Sequence, residues 1–399
     1  MAESHAVRGT VADGFEPVRD EFAAVAAAED SDFAAQVVAY RHGERVVDLW
    51  TGPEITGDSL LGAFSASKGA AHLVVALLVQ DGVLDLDRKV SHYWPEFAVE
   101  GKQDITLREL LSHRAGLVGA DTGFTLDELA DDRIVAERLG RQRPYWRPGS
   151  AFGYHALVIS ALSGEVVRRA TGRTIQEHFA ARVRDARAVD VHLGLPEDQE
   201  SRFLSAQPAV ATPGRAGGPA APESGANSLS GIAFNRNHPQ NPELWTLPNH
   251  RTVRAQGPAS LGGVASARGL ARMYAAAIGS PDGTAALLKP DTAAAFAQIH
   301  SIGHDLVTRE QKAFGVGFHA TSEVYPVLGQ GAFGHSGAGG QQAFADPRNG
   351  LAYGYSRRRF PVPNGPAPEN HRLIRALHAA ADGRWTASSS DLARWIVVG

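Results

Sequence analysis

Near the start of the chain, Phe15, Val18, Phe22 and Val25 recur at close to helical spacing between Gly14 and Ala28, which predicts an amphipathic helix. The period then changes. Ala35–Tyr40 and Arg45–Trp50 are apolar, β-rich runs on either side of His42-Gly43-Glu44, and glycine in so short a connection predicts a hairpin. The expected opening is helix, strand, strand. Ala70–Val79 is almost wholly apolar and is followed by Asp81-Gly82, the pattern of a buried helix with a glycine stop.

Helical patterns dominate from about residue 65 to 200. Thr106 and Glu109 carry a capping-box signal, and a further helix is expected from Tyr154 to Thr171. Between Gln207 and Ser230, Pro, Gly, Ala and Ser mark a long surface loop. Another helix is expected after Ser266, through Arg268 to Ile278. Phe314–Phe318, Gln342–Ala345 and Leu351–Tyr355 are short apolar runs separated by Gly and Asp-Pro turns, as in an antiparallel sheet. A last helix is expected near Glu369–Ala381, while Ala387–Gly399 takes no assignment. Strands at both ends and helices between them predict an α+β fold. Residues 1–62 and 255–399 would form a discontinuous α/β domain, an antiparallel sheet flanked by N- and C-terminal helices. Residues 63–254 would form an inserted, mainly helical domain, with a site in the cleft between the two.

At 399 residues and a net charge of −4 with both signs interspersed, the chain has neither a nucleic-acid footprint nor a polybasic membrane surface. The tight cluster Arg357-Arg358-Arg359 reads as a solvated strand end. Cysteine is absent, which excludes disulfides, thiolate catalysis and cysteine-ligated zinc. Met1-Ala2-Glu3-Ser4-His5 carries acid where a signal peptide carries base, and no apolar run reaches membrane-spanning length. The expectation is a cytoplasmic protein with a small-molecule partner and no cofactor.

Five lysines stand against 34 arginines, and one of them, Lys68, follows Ser65 by three places in Phe64-Ser65-Ala66-Ser67-Lys68-Gly69. Lysine can be desolvated into a neutral base and arginine cannot. A spacing of three puts both side chains on one helix face, and the first turn offers unpaired N–H groups to developing negative charge. Tyr154 lies at a turn in Arg147-Pro148-Gly149-Ser150-Ala151-Phe152-Gly153-Tyr154-His155-Ala156, and Gly334-His335-Ser336-Gly337-Ala338-Gly339-Gly340 leads along a late strand. Two other patterns carry little. Gly329–Gly334 fits a dinucleotide fingerprint but lacks a following helix. His300 and His304 have a spacing that could hold a metal on a helix, but without a third ligand they read as exposed histidines.

Ser65-Ala66-Ser67-Lys68, Tyr154 and His335-Ser336-Gly337 in this order resemble the serine β-lactamase and penicillin-binding superfamily. The chain is most similar to the class C β-lactamase-related carboxylesterases, the family VIII esterases. Asp81–Asp87, Leu110-Leu111-Ser112-His113-Arg114-Ala115-Gly116-Leu117 and Arg147-Pro148-Gly149 extend the resemblance over most of the chain. It implies a β-lactamase-like fold and a serine esterase for short-chain or small uncharged esters. Ser65 would be the nucleophile, and Lys68 and Tyr154 the proton acceptors, either of them the first base. Ser65 and Ala338 would supply oxyanion N–H groups, with His335, Ser336 and Gly337 at the substrate. His335 would either touch substrate or only bond the backbone beside its strand. Phe64, Trp146, Trp245 and Phe344 would shape an acyl pocket or pack the core.

Two departures narrow the chemistry. Tyr154-His155-Ala156 replaces Tyr-x-Asn, and His335-Ser336-Gly337 replaces Lys-Thr-Gly. Without a permanent cation on the late strand, esters are favoured over penicillins. An amidase, D-aminopeptidase, acyltransferase or weak β-lactamase would keep the same three residues.

Overall fold

The computed structural model describes residues 6–210 and 225–383. The middle of the loop expected at Gln207–Ser230, the acidic start Met1–His5 and the tail Ala387–Gly399 lie outside the described residues. Among the described residues, nine strands form one antiparallel sheet. They are β1 (Arg8–Val11), β2 (Ala35–Arg41), β3 (Glu44–Thr51), β4 (Ser301–His304), β5 (Gln311–Phe314), β6 (His319–Ala320), β7 (Phe333–Ser336), β8 (Gln342–Asp346) and β9 (Leu351–Arg357), in the order β1-β3-β2-β9-β8-β7-β6-β5-β4.

Side chains alternate across the sheet as its period of two requires. Val37, Ala39, Phe344, Tyr353 and Tyr355 face one core with α1 (Glu16–Ala27) and α6 (Glu369–Ala381). Val38, Tyr40, Ala343 and Ala345 face the larger core with α2 (Ser67–Gln80) and α5 (Ala267–Ile278). Helix α5 lies close on the sheet because Gly354 of β9 has no side chain. A Cβ there would stand 2.5 Å from Ala267 O and 2.7 Å from Ala271 N. Between residues 63 and 254 helices dominate, including α3 (Leu107–Leu111) and α4 (Ile159–Thr171). Three two-residue strands, Leu61–Gly62, Val264–Ala265 and Val191–His192, stitch this region to the sheet side of the molecule.

Four expectations change. Strand β1 precedes the first helix; its residues Arg8-Gly9-Thr10-Val11 carry no apolar alternation and pair antiparallel with β3. Helix α4 starts at Ile159, so Tyr154 stands on irregular backbone ahead of it. Only Phe314 of Phe314–Phe318 is in a strand; Gly315–Gly317 make the turn from β5 to β6. The arginine cluster is not a solvated end. Arg357 and Arg359 are buried and ion-paired, Arg357 with Glu29 and Glu369, Arg359 with Asp30 and Asp32.

Candidate active site

The serine is set by a strained turn. After Leu61–Gly62, Ala63 N–H donates to Gly263 O at 2.8 Å, and Phe64 adopts a positive φ of 48°. A single 3₁₀ turn, Phe64–Ala66, then feeds α2. Ser65 therefore sits one short turn ahead of the helix expected to contain it. A left-handed non-glycine residue is costly unless its surroundings hold it. Here the Phe64 ring packs edge-on against Phe360 at 5.0 Å. Ser67 locks the turn further, its hydroxyl donating to Phe64 O at 2.6 Å and accepting from Gly263 N–H at 3.0 Å.

Lys68 is fully buried, with Nζ 3.0 Å from Ser65 Oγ, 2.6 Å from Ala156 O and 2.8 Å from Ser260 O. No carboxylate pairs with it among the described residues. Burial holds its pKa well below the ordinary lysine value. The position that departs from the family's asparagine thus contributes its main-chain carbonyl to the lysine. Tyr154 is half-buried, its ring centre 5.0 Å from Lys68 Nζ and its hydroxyl hydrogen-bonded to Ser65. Burial raises the phenol's pKa, the bond with Ser65 opposes that rise, and the charge of Asp305 adds to it.

Two of the motifs read separately in the sequence brace each other. Tyr145 N–H donates to Gly116 O at 2.8 Å and Gly149 N–H to Arg114 O at 3.1 Å. His155 donates from Nδ1 to Gly153 O at 2.7 Å and accepts at Nε2 from Leu117 N–H at 3.1 Å. Behind Tyr154, buried Asp305 accepts from Val307 N–H at 2.9 Å and Thr308 N–H at 2.8 Å, and its carboxyl also bonds the Tyr154 backbone. Sequence reasoning missed Asp305, because Tyr154 lies far from it along the chain.

On β7 His335 is buried and Ser336 half-exposed; Gly337 and Ala338 come after the strand, the first buried and the second half-exposed in a turn. His335 donates from Nδ1 to Ser336 O at 2.8 Å and lies against His319, the two rings tilted by 34° with centres 4.0 Å apart. Burial first, then the charges of His319 and Lys68, push its pKa well below the usual histidine value. Burial likewise takes His319 down to about 3. The end of the strand closes on the serine turn, since a Cβ on Gly337 would meet Ala63 O at 2.6 Å and one on Gly339 would meet the Phe64 ring at 2.8 Å. Ala338 N–H donates to no backbone carbonyl among the described residues.

Ser336 also lines a cavity of about 300 Å³ with Ile302, Lys312, His319, Glu323 and Gln342; Ser65 and Tyr154 are not among its walls. Of the four aromatics, Phe64 and Trp245 join an apolar cluster with Phe360 and Ala338. Trp146 packs half-buried against the larger core, whereas Phe344 lies in the core on the opposite side of the sheet. His300 precedes and His304 ends strand β4, so they are not on a helix. Among the described residues no group of three His, Cys, Asp or Glu side chains is arranged to hold a metal ion, and no helix is long and apolar enough to cross a membrane.

Comparison with known proteins returns the same resemblance. The beta-lactamase family model matches residues 24–378. An esterase/beta-lactamase of Mycobacterium tuberculosis, LipL, is 30% identical over 349 residues, covering 82% of this chain and 77% of its own length. The structure of EstA from Arthrobacter nitroguajacolicus superposes with a TM-score of 0.87 at 42% identity, over 94% of this chain and 99% of EstA. A family VIII carboxylesterase gives a TM-score of 0.82 at 30% identity, over 94% of this chain and 100% of its own.

Proposed function

Because the chain belongs to the beta-lactamase family, we propose that it is a serine carboxylesterase acting on short-chain or small uncharged esters through an acyl-enzyme on Ser65. The observation that carries this reading is the environment of Lys68 Nζ. A neutral amine has two N–H bonds and one lone pair. The carbonyls of Ala156 and Ser260 take the two N–H groups, and the lone pair is left for Ser65.

Lys68 therefore accepts the Ser65 proton as Oγ attacks the ester carbonyl, and the N–H groups of Ser65 and Ala338 receive the oxyanion. The raised phenol keeps its proton until the C–O bond breaks. Tyr154 then donates that proton to the departing alkoxide and regains one from Lys68. Water repeats the sequence: it loses a proton to the same pair, attacks the acyl carbon, and Ser65 leaves reprotonated with the free acid. Each positioned acid or base of this kind contributes about 10²–10⁴-fold.

The neutral, buried His335 supports an ester without a carboxylate over a penicillin. In this reading residues 1–62 with 255–399 and residues 63–254 are the two walls of the cleft, supported by Ala338 lying in one and Ser65 and Tyr154 in the other.

The test is hydrolysis of p-nitrophenyl acetate and butyrate beside the cephalosporin nitrocefin. The expected result is clear ester turnover, weak or absent nitrocefin turnover, and loss of ester turnover in Ser65→Ala. Full activity in that variant refutes the mechanism, and nitrocefin turnover matching the esters refutes the substrate class.

A further inference from the structure

Helix α3 ends in a Schellman motif: His113 N–H donates to Leu110 O at 3.1 Å and Arg114 N–H to Glu109 O at 2.9 Å. The left-handed residue of that motif is usually glycine. Here it is His113, at φ 63° and buried. A large side chain held in so unfavourable a conformation points to a task for its ring.

The ring and the main chain of His113 grip both neighbours of Tyr154. Its Nδ1 accepts from His155 N–H at 3.1 Å, and its carbonyl accepts from Gly153 N–H at 3.1 Å. The ring meets the Tyr154 ring edge-on with centres 5.2 Å apart. An accepting Nδ1 puts the proton on Nε2 and makes the imidazole neutral. Burial disfavours its cation, as do His155, Lys68, His72 and His319 around it.

We propose that His113 is a positioning residue for the hydrolysis, holding the Tyr154 phenol against Ser65 and Lys68 through the backbone of Gly153 and His155. This rests on the reading of Tyr154 as the group that passes the proton to the leaving alcohol.

Two substitutions separate this role from turn geometry. His113→Gly fits the left-handed turn and keeps the carbonyl that accepts from Gly153 N–H, but has neither ring nor side-chain acceptor for His155 N–H. His113→Asn tolerates the same φ and keeps a short acceptor near the position of Nδ1. With p-nitrophenyl butyrate, His113→Gly should lose about 10²-fold in kcat with KM within about threefold of wild type, since a displaced catalytic group costs that much. His113→Asn should recover to within about fivefold of the wild-type kcat. Equal kcat in the two variants, whether high or low, overturns the proposal. If His113→Gly does not fold, His113→Asn decides alone: a folded protein more than about 30-fold below wild type overturns it.

Placed in a Tyr154→Phe background, His113→Gly should cost less than about twofold further, because no phenol remains to be placed. A further loss of the full size shows that His113 acts elsewhere and refutes it as the clamp of Tyr154. Wild-type turnover in Tyr154→Phe alone instead refutes the role of Tyr154, and the proposal with it.

Discussion

Lys68 and Arg357 are both buried basic side chains, 0% and 5% exposed, in opposite company. Arg357 donates to Glu369 at 2.7 Å, to Glu29 at 3.3 Å and to Arg359 O at 2.8 Å, over the face of Phe33. Burial works against its charge, but Tyr355, Glu369 and Glu29 outweigh it and the pKa is raised. Lys68 has two carbonyls and a hydroxyl as partners, and burial prevails. The same desolvation that Arg357 withstands lowers the pKa of Lys68, as the proposed role of base requires. An isolated buried charge is disfavoured unless an opposite charge stands beside it, and among the described residues no carboxylate pairs with Nζ.

Exchanging the cation attacks this contrast most directly. Lys68→Arg cannot lose its proton, and ester turnover should fall by about 10²–10⁴-fold in steady-state assays. Near-wild-type turnover would show that no neutral amine is needed. At the other site, Glu369→Gln leaves Arg357 under-compensated and should cost about 3–5 kcal/mol of stability in denaturant unfolding. The kcat of the folded fraction should be unchanged.

The contrast also has a pH signature. Below its depressed native pKa, Lys68 is protonated and its lone pair is gone, so kcat/KM should fall up to about tenfold per pH unit on the acid side. Between that value and the ordinary lysine range the unfolded chain binds the extra proton, so native stability rises with pH there. A pH-independent kcat/KM would argue against Lys68 as the base. The smallest effect is expected at Arg359, whose carboxylate partners are half-exposed: Arg359→Gln should cost about 1 kcal/mol by thermal unfolding.

The cluster of Ser65, Lys68 and Tyr154 was legible in the sequence because its signal is local: Lys68 follows Ser65 by three positions, and Tyr154 sits in a compact motif. The helices α1, α5 and α6 were legible from apolar periodicity, and the capping box at Thr106 and Glu109 from two letters. Strand β1 was not, since Arg8-Gly9-Thr10-Val11 buries little and is defined by its partner. The arginine cluster was misread because three of its carboxylates, Glu29, Asp30 and Asp32, lie more than 300 positions away from it. His113 was quoted as part of a motif, but nothing local shows a left-handed backbone or a ring aimed at Tyr154.

The two carbonyls around Lys68 come from residues 88 and 192 positions further along the chain. The base therefore exists only while three distant segments are closed on one another. Any opening that lets water reach Nζ hands the proton back and switches the amine off. The enzyme should fall silent at the first local loosening, well before its helices and sheet come apart, and ester turnover becomes a sensitive gauge of how tightly the cleft is shut.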